Sequence, residues 1–339
     1  MIRRPTTLAV AAASVLVLTG CAGVATSGGG SAGDGRVQVV ASTNVYGQIA
    51  EVVGGDAVEV TSIIHSAAQD PHSYEASARD QLSVSRADLV IENGGGYDAF
   101  VDGLIAATGT DAKVLTAVEF SSAWPAGSAH DDSAHEDSDH EDSDHEGGSG
   151  ADDHSEDAHG HDHVAGFNEH VWYDLHAMSD LAKGIASQLG TLRPEEAAAF
   201  EANAAAFAAS TDELTSELAA LDTAHGGAQV FVTEPVPLYL TDAAGLVNVT
   251  PQAFSQAVEE GQDVPPSTLL EGLHLIRSGH VRAVIVNSQT GGVETDAVIE
   301  DAKQQGIPVL EFSEVLPDGL TYVEWMQQNI DSLTKVLNG

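Results

Sequence analysis

Residues 194–222 read PEEAAAFEANAAAFAASTDELTSELAALD, and this segment organises the chain on either side of it. Proline is well tolerated in the first turn of a helix, and the alanine-rich composition favours a helix of about eight turns. One apolar stripe at heptad-like spacing is formed by Phe200, Phe207, Leu214, Leu218 and Leu221. Such a helix can cross two lobes as a rigid connection. The alternative, a coiled-coil dimer, is disfavoured because the partner-facing positions are mostly alanine.

Short apolar runs alternate with amphipathic segments on both sides of this helix, which is typical of parallel sheets covered by helices. Strands are predicted at 37–41, 58–64, 87–91, 113–117, 229–233, 281–286 and 307–312. Helices are predicted at 45–53, 76–86, 97–108, 175–189, 252–260, 267–278, 294–305 and 322–337. The predicted fold is therefore α/β, with two Rossmann-like lobes of parallel sheet joined by one long rigid helix.

The domain boundaries follow from changes in composition. The predicted divisions are a lipoprotein signal peptide at 1–20, a flexible Gly/Ser tether at 21–35, a first lobe at 36–190, a linking helix at 191–225 and a second lobe at 226–339. Within the first lobe, a His/Asp/Glu-rich loop at about 125–165 lacks periodic apolar residues, and this composition predicts disorder.

The amino terminus has the layout of a secretory signal, with Arg3 and Arg4 before an apolar run at 8–18. That run is too short for a permanent membrane span. It ends in Leu-Thr-Gly-Cys21, which resembles the lipobox of bacterial lipoproteins, so Cys21 is the predicted lipidation site. As the only cysteine, Cys21 excludes an internal disulfide. We expect an extracytoplasmic protein, anchored by lipid to the outer face of the cell membrane.

The charge balance is strongly acidic, with 52 Asp and Glu against 12 Lys and Arg and a formal net charge of −40. Such a surface repels nucleic-acid phosphates and anionic lipid, which argues against either as a partner, and it attracts cations. Eight of the 15 histidines lie between residues 130 and 163, among many carboxylates. Imidazoles and carboxylates together are ligands for divalent transition metals. The predicted auxiliary weak sites are His130, His135, His140, His145, His154, His159, His161 and His163.

Four short motifs place a strong metal ligand at or beyond the expected end of a strand or after the acidic tract. They are DPHSYE at 70–75, EHVWYD at 169–174, TEPVPLY at 233–239 and FSEVLP at 312–317. In parallel sheets, ligands bind at the carboxyl ends of the strands. The glycine-rich turn at 93–96 has neither dinucleotide-binding nor P-loop spacing and is interpreted as a strand-to-helix turn.

Together these motifs resemble the metal-binding receptors of ABC importers for zinc and manganese, the cluster A-I solute-binding proteins. The resemblance extends over nearly all of the mature chain, and DPHSYE and HVWYD are its most specific parts. It implies two α/β lobes that bind one metal at their interface, an ABC permease as partner, and a protein that acts as a monomer and is not an enzyme.

The resemblance implies four metal ligands, His72, His170, Glu234 and Glu314. Glu234 stands where zinc receptors commonly have histidine and manganese receptors commonly have glutamate. Two imidazoles and two carboxylates suit tetrahedral zinc, and they also suit manganese or iron if the carboxylates become bidentate. The histidine-rich tract favours zinc as the bound ion, with Mn²⁺ or Fe²⁺ as the alternative.

Three further residues are predicted to support the ligands through hydrogen bonds, namely Glu75, Asp174 and Asn287. Glu75 and Asp174 could instead be plain helix caps. The relatives' Trp-Leu-Asp-Pro is here Trp172-Tyr-Asp-Leu175, a departure expected to change only local packing.

Two functions outside transport compete with the receptor. A surface metallohydrolase could use Glu234 or Glu314 as general base, but no His-Glu-x-x-His helix or nucleophile elbow supports it. A metal-buffering or adhesive surface protein would do its work through the tract at 130–163. Four protein ligands favour binding over catalysis, because catalytic zinc keeps a coordination position open for water.

Overall fold

The structure is a computed structural model that describes residues 35–69, 71–125, 164 and 166–339. The signal peptide, Cys21, most of the predicted acidic loop and its eight histidines lie outside these residues. Among the helices that the structure describes, none has the length and apolar character needed to cross a membrane.

The first lobe is built on a four-stranded parallel sheet with strand order β2-β1-β3-β4. Its elements are β1 (Val37–Thr43), α1 (Asn44–Gly54), β2 (Val58–Ile64), α2 (Ala78–Val84), β3 (Leu89–Glu92), α3 (Phe100–Thr108), β4 (Lys113–Thr116) and α4 (Leu175–Leu192). Short 3-10 helices lie at Pro71–Ser73, Ala117–Phe120 and Val171–Tyr173. Because the strands run parallel, their carboxyl ends lie along the same edge of the sheet.

The second lobe repeats this arrangement with strand order β6-β5-β7-β8, again all parallel. It follows the long helix α5 (Ala197–His225). Its elements are β5 (Gln229–Val232), α6 (Leu238–Ala243), β6 (Val247–Asn248), α7 (Gln252–Glu259), α8 (Pro266–Arg277), β7 (Val281–Asn287), α9 (Val293–Gln305), β8 (Val309–Phe312) and α10 (Tyr322–Leu337). The predicted fold class, two parallel-sheet α/β lobes, is confirmed.

Most predicted elements agree with the structure to within a few residues, and β2 and α10 agree at both ends. The long helix begins at Ala197, three residues later than predicted, because residues 194–196 form turns. Helix α6 and strand β6 were not predicted from the sequence. Both are short, and the two residues of β6 are too few for a periodic pattern.

Helix α5 joins the two lobes through its apolar stripe. All five predicted stripe residues are buried. The helix contacts α1 and α4 of the first lobe and α6 and α10 of the second. One hydrophobic cluster accordingly contains residues of both sheets and of these helices. Because the lobes share this core, a large separation between them would expose apolar surface to water.

Hydrogen bonds also cross between the lobes at the start of α1. The Asn44 side chain donates to Leu316 O at 2.8 Å and accepts from Leu316 N at 3.0 Å. The Tyr322 hydroxyl donates to Trp172 O at 2.8 Å, and Tyr322 N donates to the side chain of Gln48 at 2.9 Å. These contacts hold the loop after β8 against the first lobe.

Glu92, the last residue of β3, is a buried acid with an unusual protonation equilibrium. It is only 3 % exposed, and its Oε1 accepts a 2.8 Å hydrogen bond from the Thr116 hydroxyl on β4. Burial, helped by the nearby Asp98 carboxylate, raises the pKa of Glu92 from 4.5 to about 8. The folded protein therefore holds a proton on Glu92 at neutral pH.

We expect Glu92→Gln to flatten the pH dependence of stability. Since the folded pKa lies above the unfolded one, the contribution of Glu92 to stability is complete below pH 4.5 and is lost as pH rises through about 8. Glutamine keeps the acceptor for Thr116 and carries no charge at any pH. The variant should gain about 2–4 kcal/mol over the wild type at pH 9, measured by chemical denaturation at pH 6 and 9. The exposed Glu119→Gln is the control, and equal slopes for both variants would contradict a protonated Glu92.

Candidate metal centre

The loops that follow β5 and β8 carry the two predicted carboxylate ligands. Glu234 lies two residues after β5, and Glu314 lies two residues after β8. Proline follows Glu234 and favours an extended backbone at this position, which directs the chain away from the sheet. Both side chains are buried, with 4 % of Glu234 and 2 % of Glu314 exposed. Because the strands are parallel, both acids lie at the same sheet edge.

Asn287, the last residue of β7, lies between these two acids and joins them. Its Nδ2 donates to Glu234 Oε2 at 3.0 Å and to Glu314 Oε1 at 2.6 Å. Asn287 therefore contacts both predicted carboxylate ligands directly. One amide group holds two acidic side chains that would otherwise repel each other.

The other oxygen of each carboxylate accepts a hydroxyl hydrogen bond. Tyr97 donates to Glu314 Oε2 at 3.0 Å, and Thr290 donates to Glu234 Oε1. Burial and the nearby Glu314 charge raise the pKa of Tyr97 well above its ordinary value, so its hydroxyl stays protonated and donates. Two neighbouring buried carboxylates held in place by hydrogen bonds are oxygen ligands that suit a divalent cation.

His170 belongs to the first lobe, and its ring is 1 % exposed. The ring lies 6.0 Å from the ring of Tyr97 and 5.1 Å from that of Trp172, both measured between centroids. Tyr97 therefore contacts His170 through its ring and Glu314 through its hydroxyl. Tyr97 thereby connects the imidazole of the first lobe with one carboxylate of the second. The ligand atoms that the structure groups with His170, within 4.8 Å of one another, are those of Glu169 and of Glu259, the last residue of α7.

Asn168 orients the His170 ring. Asn168 Oδ1 lies 2.7 Å from His170 Nδ1, and Asn168 Nδ2 donates to Pro235 O at 3.0 Å. Because the amide nitrogen is engaged by Pro235, the amide oxygen faces the imidazole and favours a proton on Nδ1. The lone pair then lies on Nε2, the arrangement that hydrogen-bonded metal ligands usually adopt.

Tyr173 adds a contact that the sequence analysis did not anticipate. Its hydroxyl donates to Ser313 O at 2.8 Å, one residue before Glu314. Gln289 Oε1 also accepts from Glu314 N at 2.7 Å and from Val315 N at 3.0 Å. The expectation that Tyr173 would change only local packing was therefore incomplete, since its hydroxyl also links the first lobe to the Glu314 loop.

The remaining predicted residues lie elsewhere or outside the described side chains. His72 belongs to the 3-10 helix Pro71–Ser73, and its side chain is outside the described part of the structure. Asp174 caps α4, accepting from His176 N at 3.0 Å and Ala177 N at 3.1 Å. Its other carboxylate oxygen accepts from the Ser121 hydroxyl at 3.2 Å. Glu75 is exposed in the segment before α2.

Three residues that position the site were not predicted from the sequence, namely Tyr97, Asn168 and Thr290. Tyr97 follows the glycine-rich turn after β3, and Thr290 follows β7. Because both residues follow the end of a strand, their sequence positions could have indicated that they lie near the site. The turn was correctly interpreted as a strand-to-helix connection. Gly94 within it has a φ of +77°, and a Cβ there would lie 2.4 Å from a Thr116 methyl group, so no larger residue fits.

Comparison with known families agrees with this architecture. Residues 39–336 match the family described as "ZnuA: Zinc-uptake complex component A periplasmic". The chain belongs to this family. A curated family relative, the manganese-binding lipoprotein MntA of Bacillus subtilis (strain 168), is 25 % identical over 346 residues and 96 % of each chain. Zinc-binding protein AdcA of Streptococcus pyogenes serotype M6 is 27 % identical over 188 residues, 55 % of this chain and 34 % of that protein.

Solved structures show the same fold. The periplasmic zinc binding protein TroA from Treponema pallidum aligns with a TM-score of 0.66 at 19 % identity, covering 89 % of this chain and 99 % of that one. The family relatives thus include proteins named for manganese and for zinc, and substrate-binding lipoproteins of ABC transporters are among them. The predicted resemblance to this group of metal receptors is confirmed.

Proposed function

We propose that this protein is an extracytoplasmic receptor that binds a divalent metal, zinc in preference to manganese or iron, between its lobes and delivers it to an ABC permease for uptake. His170, Glu234, Glu314 and His72 would be the ligands. The observation that carries the proposal is that the Asn287 amide donates a hydrogen bond to Glu234 and another to Glu314. The two carboxylates are therefore close neighbours.

The hydrogen bonds of the two acids support zinc. Each oxygen of Glu234 and Glu314 already accepts one hydrogen bond, so each has fewer lone pairs for chelating a metal through both oxygens. Monodentate carboxylates with two imidazoles make a four-ligand tetrahedral set that suits zinc. Manganese in an oxygen-rich site favours more ligands and higher coordination.

A closed set of four protein ligands supports a receptor over a metallohydrolase, since it leaves no coordination position for a reacting water. We propose lipidation at Cys21, action as a monomer, and a collecting role for the histidine-rich tract. In this arrangement the tract raises the local metal concentration, and the ligands between the lobes hold a single ion.

The decisive experiment is metal analysis of the protein purified without added metal, followed by competition between zinc and manganese. We expect one tightly bound zinc per chain after deletion of residues 130–163, and zinc should displace manganese. Retention of manganese against excess zinc would identify a manganese receptor. Loss of nearly all bound metal on deletion would identify a metal buffer instead.

A further inference from the structure

Asn168 connects the first lobe with the second through its backbone and through its side chain. The Tyr239 hydroxyl on α6 donates to Asn168 O at 2.7 Å. Asn168 Nδ2 donates to Pro235 O at 3.0 Å, and Pro235 directly follows the proposed ligand Glu234. Two groups of one first-lobe residue are therefore hydrogen-bonded to the second lobe, one to α6 and one to the loop after β5.

The residue that follows Asn168 is held by the first lobe. Asn93, directly after β3, donates from Nδ2 to Glu169 O at 3.0 Å. The next residue is His170, whose Nδ1 lies 2.7 Å from Asn168 Oδ1. The imidazole is thus oriented by a residue that is itself hydrogen-bonded to the second lobe. The orientation of the His170 ring therefore depends on the position of the second lobe as well as the first.

Tyr239 is suited to act as a lasting donor in this contact. It is half-buried, and its ring packs against the hydrophobic cluster that contains residues of both lobes. Burial raises the pKa of Tyr239 to about 12, although a hydrogen bond from the Ser121 side chain of the first lobe lowers it. The hydroxyl is therefore protonated at neutral pH and can donate to Asn168 O. Replacement by phenylalanine would remove this donor and keep the packed ring.

We propose that Tyr239 is a positioning residue that acts through Asn168 on His170 and slows release of the bound divalent metal ion. The inference rests on the proposed function, since His170 and Glu234 are proposed ligands from the two lobes. An ion bound by both lobes leaves when these ligands move apart, and hydrogen bonds between the lobes oppose that movement. An incoming ion can meet the ligands of one lobe first, so its association depends less on these bonds.

The test compares Tyr239→Phe with Tyr74→Phe in the full-length protein. Tyr74 is the matched control because it is also half-buried, packs against a hydrophobic cluster and donates from its hydroxyl to Asp80 at 2.9 Å. Asp80 belongs to α2, so this hydrogen bond stays within the first lobe.

Zinc release and zinc binding are measured separately. Protein loaded with less than one equivalent of zinc, which keeps the ion at the tightest site, is mixed with an excess of a chromophoric zinc chelator in a stopped-flow instrument. The absorbance of the chelate gives the dissociation rate constant. Mixing metal-free protein with zinc gives the association rate constant from tryptophan fluorescence, because the ring of Trp172 lies 5.1 Å from that of His170.

We expect Tyr239→Phe to raise the zinc dissociation rate constant by about tenfold, the lower end of the range for losing a contact that supports a metal ligand. Tyr74→Phe should stay within about twofold of the wild type, and both association rate constants should change by less than about threefold. The melting temperatures of the two metal-free variants should fall by similar amounts, because each variant loses a hydroxyl donor.

Equal dissociation rate constants in the two variants would overturn the positioning role of Tyr239, and so would a change confined to association. If the wild type gives up its zinc within the mixing time, it has no tight site. The proposed receptor then fails, whatever the variants do.

Discussion

Replacing His170 with alanine is expected to abolish the rise in melting temperature that zinc produces in the wild-type protein. A ligand that binds only the folded state stabilises it by about 4 kcal/mol at a free concentration 1,000 times Kd. His170 supplies an imidazole whose ring lies 6.0 Å from the ring of Tyr97, the residue that donates to Glu314. Without it, the ion would lose a nitrogen ligand in a site that offers few. We expect His72→Ala to have the same effect.

Thermal unfolding with and without zinc measures this effect, and the tract does not obscure it. The tract can bind zinc in the folded and in the unfolded chain alike, so it contributes little to stabilisation. The exposed His176→Ala is the matched control and should keep the full zinc-dependent shift. A zinc-dependent shift that persists in both His170→Ala and His72→Ala would eliminate the proposed ligand set.

The second large effect is expected for Asn287→Ala. Its amide is the shared donor of two buried carboxylates, and hydrogen bonds to charged groups contribute about 1.5–3 kcal/mol each. The metal-free variant should therefore lose about 2–4 kcal/mol of folding stability. Because the carboxylates are then held less well in place, zinc affinity should also fall by about 10-fold or more.

Denaturation of the metal-free protein and a zinc competition titration measure these two quantities. Asn203→Ala is the control, since Asn203 Nδ2 donates to Val53 O at 3.0 Å on α1, in the interface of α5 with the first lobe. It should lower stability but leave zinc affinity unchanged. If Asn287→Ala binds zinc as tightly as Asn203→Ala, then Asn287 does not position the ligands.

Glu234 and Glu314 illustrate what could be predicted of the site. Each follows a strongly apolar strand, and parallel strands bring their carboxyl ends to one edge, so their proximity follows from a local pattern. The position of Asn287 at the site could be predicted by the same argument, since it also lies at the end of a parallel strand. Asp174 shows the limit, because a carboxylate before a helix has the same sequence context whether it supports a ligand or caps the helix.

The contacts that complete the site could not be predicted in this way. Tyr97 reaches Glu314 over a separation of 217 residues, and Tyr173 reaches Ser313 over 140. The contact of Asn168 with His170 could not be predicted either. It depends on the hydrogen bond from Asn168 Nδ2 to Pro235 O, which leaves Asn168 Oδ1 facing the imidazole. Glu259 joins Glu169 and His170 only because α7 and the segment before α4 meet in space.

The α/β class, the long helix α5 and the strand ends that carry the acidic residues could be predicted, because hydrophobic periodicity and strand-end placement are local properties. How the two lobes meet could not be predicted, because it depends on tertiary contacts. The shared core around α5 and α10 and the hydrogen bonds across it set which side chains face each other. Burial of Glu234 and Glu314 in one hydrogen-bond network likewise depends on the contact between lobes, because Tyr97 of the first lobe donates to Glu314 of the second.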